Sequence, residues 1–178
     1  MNSQDVILGV LMEKNYSGYE IKQRFQTVFS FFYDASFGTI YPTLKRLEAD
    51  QLITKVTIAQ EGKPSKHEYS ITESGKKMFA HYLRSPLTAD VTRSDFLTRL
   101  YFGEFADPSI IRKWLELYIA QKQLQLEGLC QCQLDNQGDL SPTQELSIQI
   151  GITSFENNLK LANEAMDRFA RLEQESEQ

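Results

Sequence analysis

Thr39, Tyr41, Thr43, Lys45 and Arg46 crowd into one short segment, SFGTIYPTLKRLEADQLI, at residues 36–53. Their hydroxyls can donate hydrogen bonds and their cations can neutralise anions. No nucleophile among them has a base beside it, so the set suits contact with phosphates rather than bond-making chemistry. Ile40, Leu44 and Leu47 recur at spacings of four and three. That spacing predicts a helix with an apolar face turned to a core, which pushes Thr39, Thr43, Lys45 and Arg46 toward water. Proline inside a helix costs roughly 3 kcal/mol, so Pro42 has to sit early. With Thr39 as N-cap it takes the third helical position, where its missing amide would have had no partner anyway. Ser36 to Gly38 then form a tight approach, and the helix start projects Thr39, Tyr41 and Thr43 with its partial positive charge behind them. A solvated amphipathic face would also carry Lys and Arg, so the neighbouring elements must decide between the two readings.

Other residue types with chemical potential lead less far. Cys130 and Cys132 form a C-x-C on a predicted helix, where residues two apart point to different faces, and four zinc ligands are lacking. His67 and His81 are far apart with no acid at ligand spacing. No metal, cofactor or enzyme activity is expected. Trp114, with Tyr118 one turn on and Tyr101 and Phe102 upstream, could line an aromatic cavity or simply pack between helices.

The elements that must position the cationic segment can be read on either side of it. SQDVILGVLME predicts a first helix with Ser3 as N-cap and Val6, Ile7, Val10 and Leu11 as its apolar face. Ser17 and Glu20 make a capping box for a second, whose stripe is Ile21, Phe25, Val28, Phe29 and Phe32. After the third helix, LITKVTIA and KHEYSIT alternate like strands around QEGKPSK, a hairpin with a charged tip. TESGKKMFAHYL returns to helix. Three helices, a hairpin and a helix give the order of a winged helix-turn-helix over residues 1–84. The hairpin adds Lys63 and Lys66 as a second positive element for phosphates or the minor groove.

Residues 85–178 differ in kind. A short aromatic helix, RSDFLTRLYFGEF, precedes Asp107 and Pro108, which start a long helix to about Leu134. Ser141, Pro142 and Gln144 repeat the start signal. From Ile148, the positions Ile152, Phe155, Leu159, Ala162, Met166 and Phe169 alternate at four and three, a coiled-coil seam expected to pack against a partner chain. The fold class expected is thus mainly α with a small β-hairpin, the second half being a helical dimerisation domain.

Charge follows the same division. The first 84 residues hold 11 Lys and Arg against 9 Asp and Glu, the remainder 8 against 15, which together make the net charge of −5. The acidic balance excludes a generally basic nucleic-acid binder but not a local basic face. No apolar run approaches the roughly 18 residues of a membrane span. Two cysteines and a start without a basic n-region point to the cytoplasm.

In family order, ILGVL, SGYEIKQRF, GTIYPTLKRLEADQLI, GKPSKHEYSIT and ESGKK over residues 5–83 resemble the PadR family of bacterial transcriptional regulators. FLTRLYFGEF and the long helices resemble the subfamily with an extended C-terminal dimerisation region. The resemblance implies a homodimeric, generally repressing DNA-binding protein, in some members released by a phenolic acid or another small aromatic. It implies that Tyr41, Thr39, Lys45 and Arg46 read or clamp DNA, with Ser36 and Thr43 beside them. Tyr16 and Tyr19 would meet phosphates, and Lys63 and Lys66 would form the wing contact. Ile148, Ile152, Phe155, Leu159, Met166 and Phe169 are the dimerisation candidates; Tyr101, Trp114 and Tyr118 are the effector candidates. The wing departs from the family's arginine-rich pattern, interspersing Glu61 and Glu68 with its lysines around His67. The rival expectation is a winged-helix interaction module that does not bind DNA.

Overall fold

The computed structural model describes residues 2–29, 37–60, 63–90 and 93–176. The chain divides into two compact units, Met1–Ala89 and Asp90–Gln178.

In the first unit the order is α1 (Ser3–Glu13), β1 (Tyr16–Ser17), α2 (Gly18–Thr27), α3 (Ile40–Ala49), β2 (Ile53–Gln60), β3 (Lys63–Ile71) and α4 (Glu73–Arg84). The residue that caps α1 is Asn2, not Ser3: its side chain accepts from the amides of Gln4 and Asp5, and Asp5 returns the bond to the Asn2 amide. Asn caps a helix as well as Ser does, and here it stands one residue earlier. Ser17 and Glu20 form the expected box on α2. Ile7, Leu8, Ile21, Phe25, Ile40, Leu44, Leu47 and Ile53 are at most 1% exposed and form one core.

β2 and β3 pair antiparallel, and β1 adds a third strand to the other edge of β3 through Tyr16 opposite Tyr69 and Ser17 opposite Glu68. A two-residue strand has no periodicity of its own, so the sequence gives no sign of it. The wing is thereby tied to the start of α2. At the other end of the hairpin, Thr72 caps α4 while donating to the carbonyls of Gln51 and Leu52, and Gly75 lies so close that any Cβ there would strike the Leu52 carbonyl oxygen.

The second unit consists of α5 (Asp95–Tyr101), a 3-10 turn at Gly103–Phe105, α6 (Pro108–Asp135) and α7 (Pro142–Ser176). Asp107 and Pro108 start α6 as expected, and the Ser141 amide donates to Gln144 Oε1 at the start of α7. α6 and α7 form an antiparallel hairpin, whose joining residues 136–141 include Gly138 at φ +92.

Candidate nucleic-acid interface

α3 exposes one face and buries the other. Ile40, Leu44 and Leu47 are 0–1% exposed, while Thr39, Tyr41, Pro42, Lys45 and Arg46 stand in solvent. Thr43 does not join them. It is 7% exposed because it falls at position i+3 from Ile40, inside the buried stripe that Ile40, Leu44 and Leu47 define. The expectation that Thr43 faces water is corrected accordingly. Thr39 is the N-cap and Pro42 the third helical residue, but Thr39 makes no capping bond; its hydroxyl lies 3.4 Å from that of Ser3.

The Tyr41 ring leans back over Gly18, whose place in the α2 start has no room for a side chain beneath the ring. Tyr41, Tyr19 and Tyr69, with Lys66 and His67 of the wing, wall an open hollow of about 570 Å3 between the starts of α2 and α3 and strand β3. Tyr19 is 71% exposed at its rim. Tyr16 is different: it is 5% exposed, and its hydroxyl donates to Glu13 Oε2 at 2.9 Å and accepts from Arg24 Nη2 at 2.8 Å. Burial raises its pKa above the ordinary tyrosine value, and both charged neighbours are already bonded to it. The hydroxyl proposed for a phosphate is thus engaged inside the unit, joining α1 to α2.

The cations differ in their partners. Among the described residues neither Lys45 nor Arg46 forms an ion pair; Arg46 Nη2 lies 3.5 Å from Gln4 Oε1. Lys66 Nζ sits 3.2 Å from Glu20 Oε2, the same oxygen that accepts the Ser17 amide and hydroxyl. Those hydrogen bonds from Ser17, with Lys66 adding to them, hold the Glu20 carboxyl down at about 2. The sequence presented Glu20 only as a capping partner. Its pairing with Lys66 is a contact between distant segments that no local pattern announces. His67 Nδ1 is 3.1 Å from the Thr57 hydroxyl across the hairpin. Ser36 lies outside the described residues, and Lys63 opens β3 with its side chain outside them.

In the second unit, Trp114 and Tyr118 pack against a core of Ile111, Leu115 and Ala162, with Phe96 stacked on Tyr118 at 4.0 Å between ring centroids. Tyr101 is 82% exposed and lies outside that cluster, against Phe102. The three effector candidates are therefore not brought together as a set. Burial also lowers the pKa of Lys122, whose ammonium lies over the rings of Tyr118 and Phe155. Ile148, Ile152 and Phe155 are 2–6% exposed within the single chain, and Leu159 is half-buried. Met166 and Phe169 pack on the α6 cluster. Within the single chain, α6 thus covers Ile148, Ile152 and Phe155 and partly covers Leu159, Met166 and Phe169.

The family model for "Transcriptional regulator PadR-like family" matches residues 7–81, from within α1 to within α4. A solved PadR-like transcriptional regulator, BC1756 from Bacillus cereus, is 38% identical with a TM-score of 0.87, covering 95% of this chain and 96% of that one. This chain belongs to the PadR-like family. The negative transcriptional regulator PadR of Bacillus subtilis is 34% identical over 97 residues, 54% of this chain and 53% of that protein. A probable transcriptional regulator of Mycobacterium tuberculosis, Rv1176c, is 35% identical over 46% of this chain and 43% of its own length. The chain thus spans about half the length of these two relatives. Bacillus subtilis PadR solved in complex with operator DNA shares the fold at a TM-score of 0.75 and 23% identity, covering 93% of this chain and 98% of that one. The same protein solved in complex with p-coumaric acid does so at 0.68 and 21%, covering 94% and 98%. No described helix is long and apolar enough to cross a membrane.

Proposed function

We propose that this chain is a cytoplasmic, non-enzymatic repressor that binds a pseudo-palindromic operator as a homodimer and responds to a small aromatic ligand. The observation that carries the reading is the divided α3, which buries Ile40, Leu44 and Leu47 and leaves Thr39, Tyr41, Lys45 and Arg46 clear in solvent. A helix so presented can enter a major groove while the hairpin reaches the flanking backbone. Residues 1–84 act as the DNA-binding domain and 85–178 as the dimerisation domain. The relative solved with operator DNA supports the partner, and the one solved with p-coumaric acid supports the ligand class. With the α7 seam occupied, the surface offered to a second copy is the exposed apolar set Leu117 and Leu124 on α6 and Leu146, Ile150 and Leu161 on α7. The ligand acts at the aromatic cluster of Phe96, Trp114 and Tyr118.

A winged-helix interaction module without DNA binding remains the second reading, favoured by the net charge of −5 and by the neutralised Lys66. Fluorescence anisotropy on duplexes from the gene's own upstream region separates the two. The repressor reading expects salt-dependent binding, with Arg46→Ala flattening the slope of log affinity against log salt by about one unit per subunit. Binding indifferent to Arg46→Ala, or absent altogether, overturns it.

A further inference from the structure

We propose that Glu20 limits the phosphate affinity of the DNA-binding face: it keeps Lys66 in an internal ion pair that a phosphate must displace, and so weakens binding through the wing whatever the DNA sequence. The proposal rests on the DNA-binding reading above. Of the four cations with described side chains on α3 and the hairpin, Lys45 and Arg46 form no ion pair, Lys55 meets Glu48 at 3.1 Å, and Lys66 meets Glu20 at 3.2 Å. Glu20 cannot swing away with it. The oxygen that meets Lys66 also accepts the Ser17 amide at 2.7 Å and the Ser17 hydroxyl, which pins the carboxylate to the start of α2. The pair is 36% and 42% exposed, so a phosphate can approach it from solvent. Since the Glu20 carboxyl titrates at about 2, its negative charge is present throughout the neutral range.

Sequence-independent affinity comes almost wholly from cations that release counterions from DNA phosphates. A lysine whose charge is already balanced exchanges one anion for another, and the phosphate that takes it comes to rest beside a fixed carboxylate. Lys45 and Arg46 carry no such penalty. Base contacts contribute only in the specific complex. A phosphate contact made in both complexes therefore changes random-sequence and operator affinity by a similar factor.

Glu20→Gln tests this cleanly, because glutamine at the third helical position still completes a capping box while losing the charge. The probes are a mixed-sequence duplex and an operator duplex selected from a random pool by the wild-type protein. Glu20→Gln is expected to tighten binding to the mixed duplex severalfold and to steepen its salt slope by about one unit per subunit. The operator gains by a similar factor, because a phosphate contact carries no sequence information. Lys66→Gln added to Glu20→Gln erases the gain. Glu73→Gln, which breaks the Glu73–Lys76 pair on α4 and changes net charge equally, does not reproduce it. An unchanged affinity and slope in Glu20→Gln overturns the proposal, as does a gain that survives Lys66→Gln or appears equally in Glu73→Gln. If circular dichroism shows Glu20→Gln to be misfolded, Lys66→Gln in the wild type decides. Its slope must fall by clearly less than that of Arg46→Ala, and an equal fall overturns the inference. Wild-type protein that binds neither duplex removes the DNA-binding reading and this inference with it, whereas wild-type binding with an unaltered Glu20→Gln removes the inference alone.

Discussion

α3 and α7 both announce an apolar stripe in the sequence, and the two stripes are used differently. In α3, Ile40, Leu44 and Leu47 close the core of a small unit and leave the opposite face carrying Tyr41, Lys45 and Arg46. In α7 the most regular stripe, from Ile148 to Phe169, is taken up by α6 of the same chain, and a weaker set of exposed leucines and isoleucine is left outside. The difference teaches that periodicity identifies the face that will be buried, not the body that buries it. On a helix with a single apolar stripe, the remaining face is available for recognition. On one with two, the better stripe goes to the nearest helix, which costs no association entropy.

The sharpest way to break that comparison is Phe155→Ala. Its ring is 6% exposed within one chain, so its removal should cost the fold about 3–5 kcal/mol. Tryptophan emission reports this well, because Trp114 stands in the same hairpin. The drop in the unfolding midpoint relative to wild type should be similar at every protein concentration. Leu117→Asp, at a residue 72% exposed, should instead leave the tertiary fold within about 0.5 kcal/mol and shift the sedimentation coefficient toward a monomer. If Phe155→Ala dissociates a dimer while the monomer keeps its stability, the seam faces a partner after all.

What the sequence made legible follows from the same distinction. The capping box at Ser17, the early Pro42, the hairpin and the two long helices all rest on local signals that the structure keeps. Thr43 is polar by type, but its place between Ile40 and Leu47 puts it on the buried stripe. Tyr16 meets Glu13 and Arg24 from separate helices, and β1 exists only by pairing with β3, so neither leaves a local signal. The Glu20 and Lys66 pair belongs to the same group. Contacts across the fold leave no spacing to read.

A smaller loss tests the junction between wing and α4. Gly75→Ala would drive a methyl into the Leu52 carbonyl, a backbone atom that cannot yield as a side chain does. About 1–3 kcal/mol of stability should go, seen as an earlier loss of far-ultraviolet circular dichroism with the Trp114 transition little changed. An equal shift in both signals would mean that the two units unfold together.

Tyr41→Phe probes the free face of α3 without disturbing its buried one. The ring keeps its place over Gly18 and only the hydroxyl is lost. Operator binding should weaken by roughly 1 kcal/mol with the salt slope retained, since no charge has been removed. An unaltered operator affinity takes the Tyr41 hydroxyl off the contact surface and leaves the helix reading to Lys45 and Arg46.

The smallest effect concerns acid. Glu20 titrates at about 2 in the folded chain against 4.5 ordinarily, chiefly through its hydrogen bonds from Ser17 and then through Lys66. A carboxyl whose folded pKa is depressed stabilises the fold above its ordinary value and loses that contribution as pH falls through the folded one. The window here therefore runs from about 4.5 down to about 2. Because the side chain is 42% exposed, the contribution should stay under about 1 kcal/mol. Thermal unfolding followed across that window should show the wild type losing stability more steeply than Glu20→Gln, with the two curves parallel between pH 5 and 8. Curves that stay parallel down to pH 2 would mean that the carboxylate is not held by Ser17 and Lys66 in solution. The contrast between a masked wing lysine and the unmasked cations of α3 would then fall too.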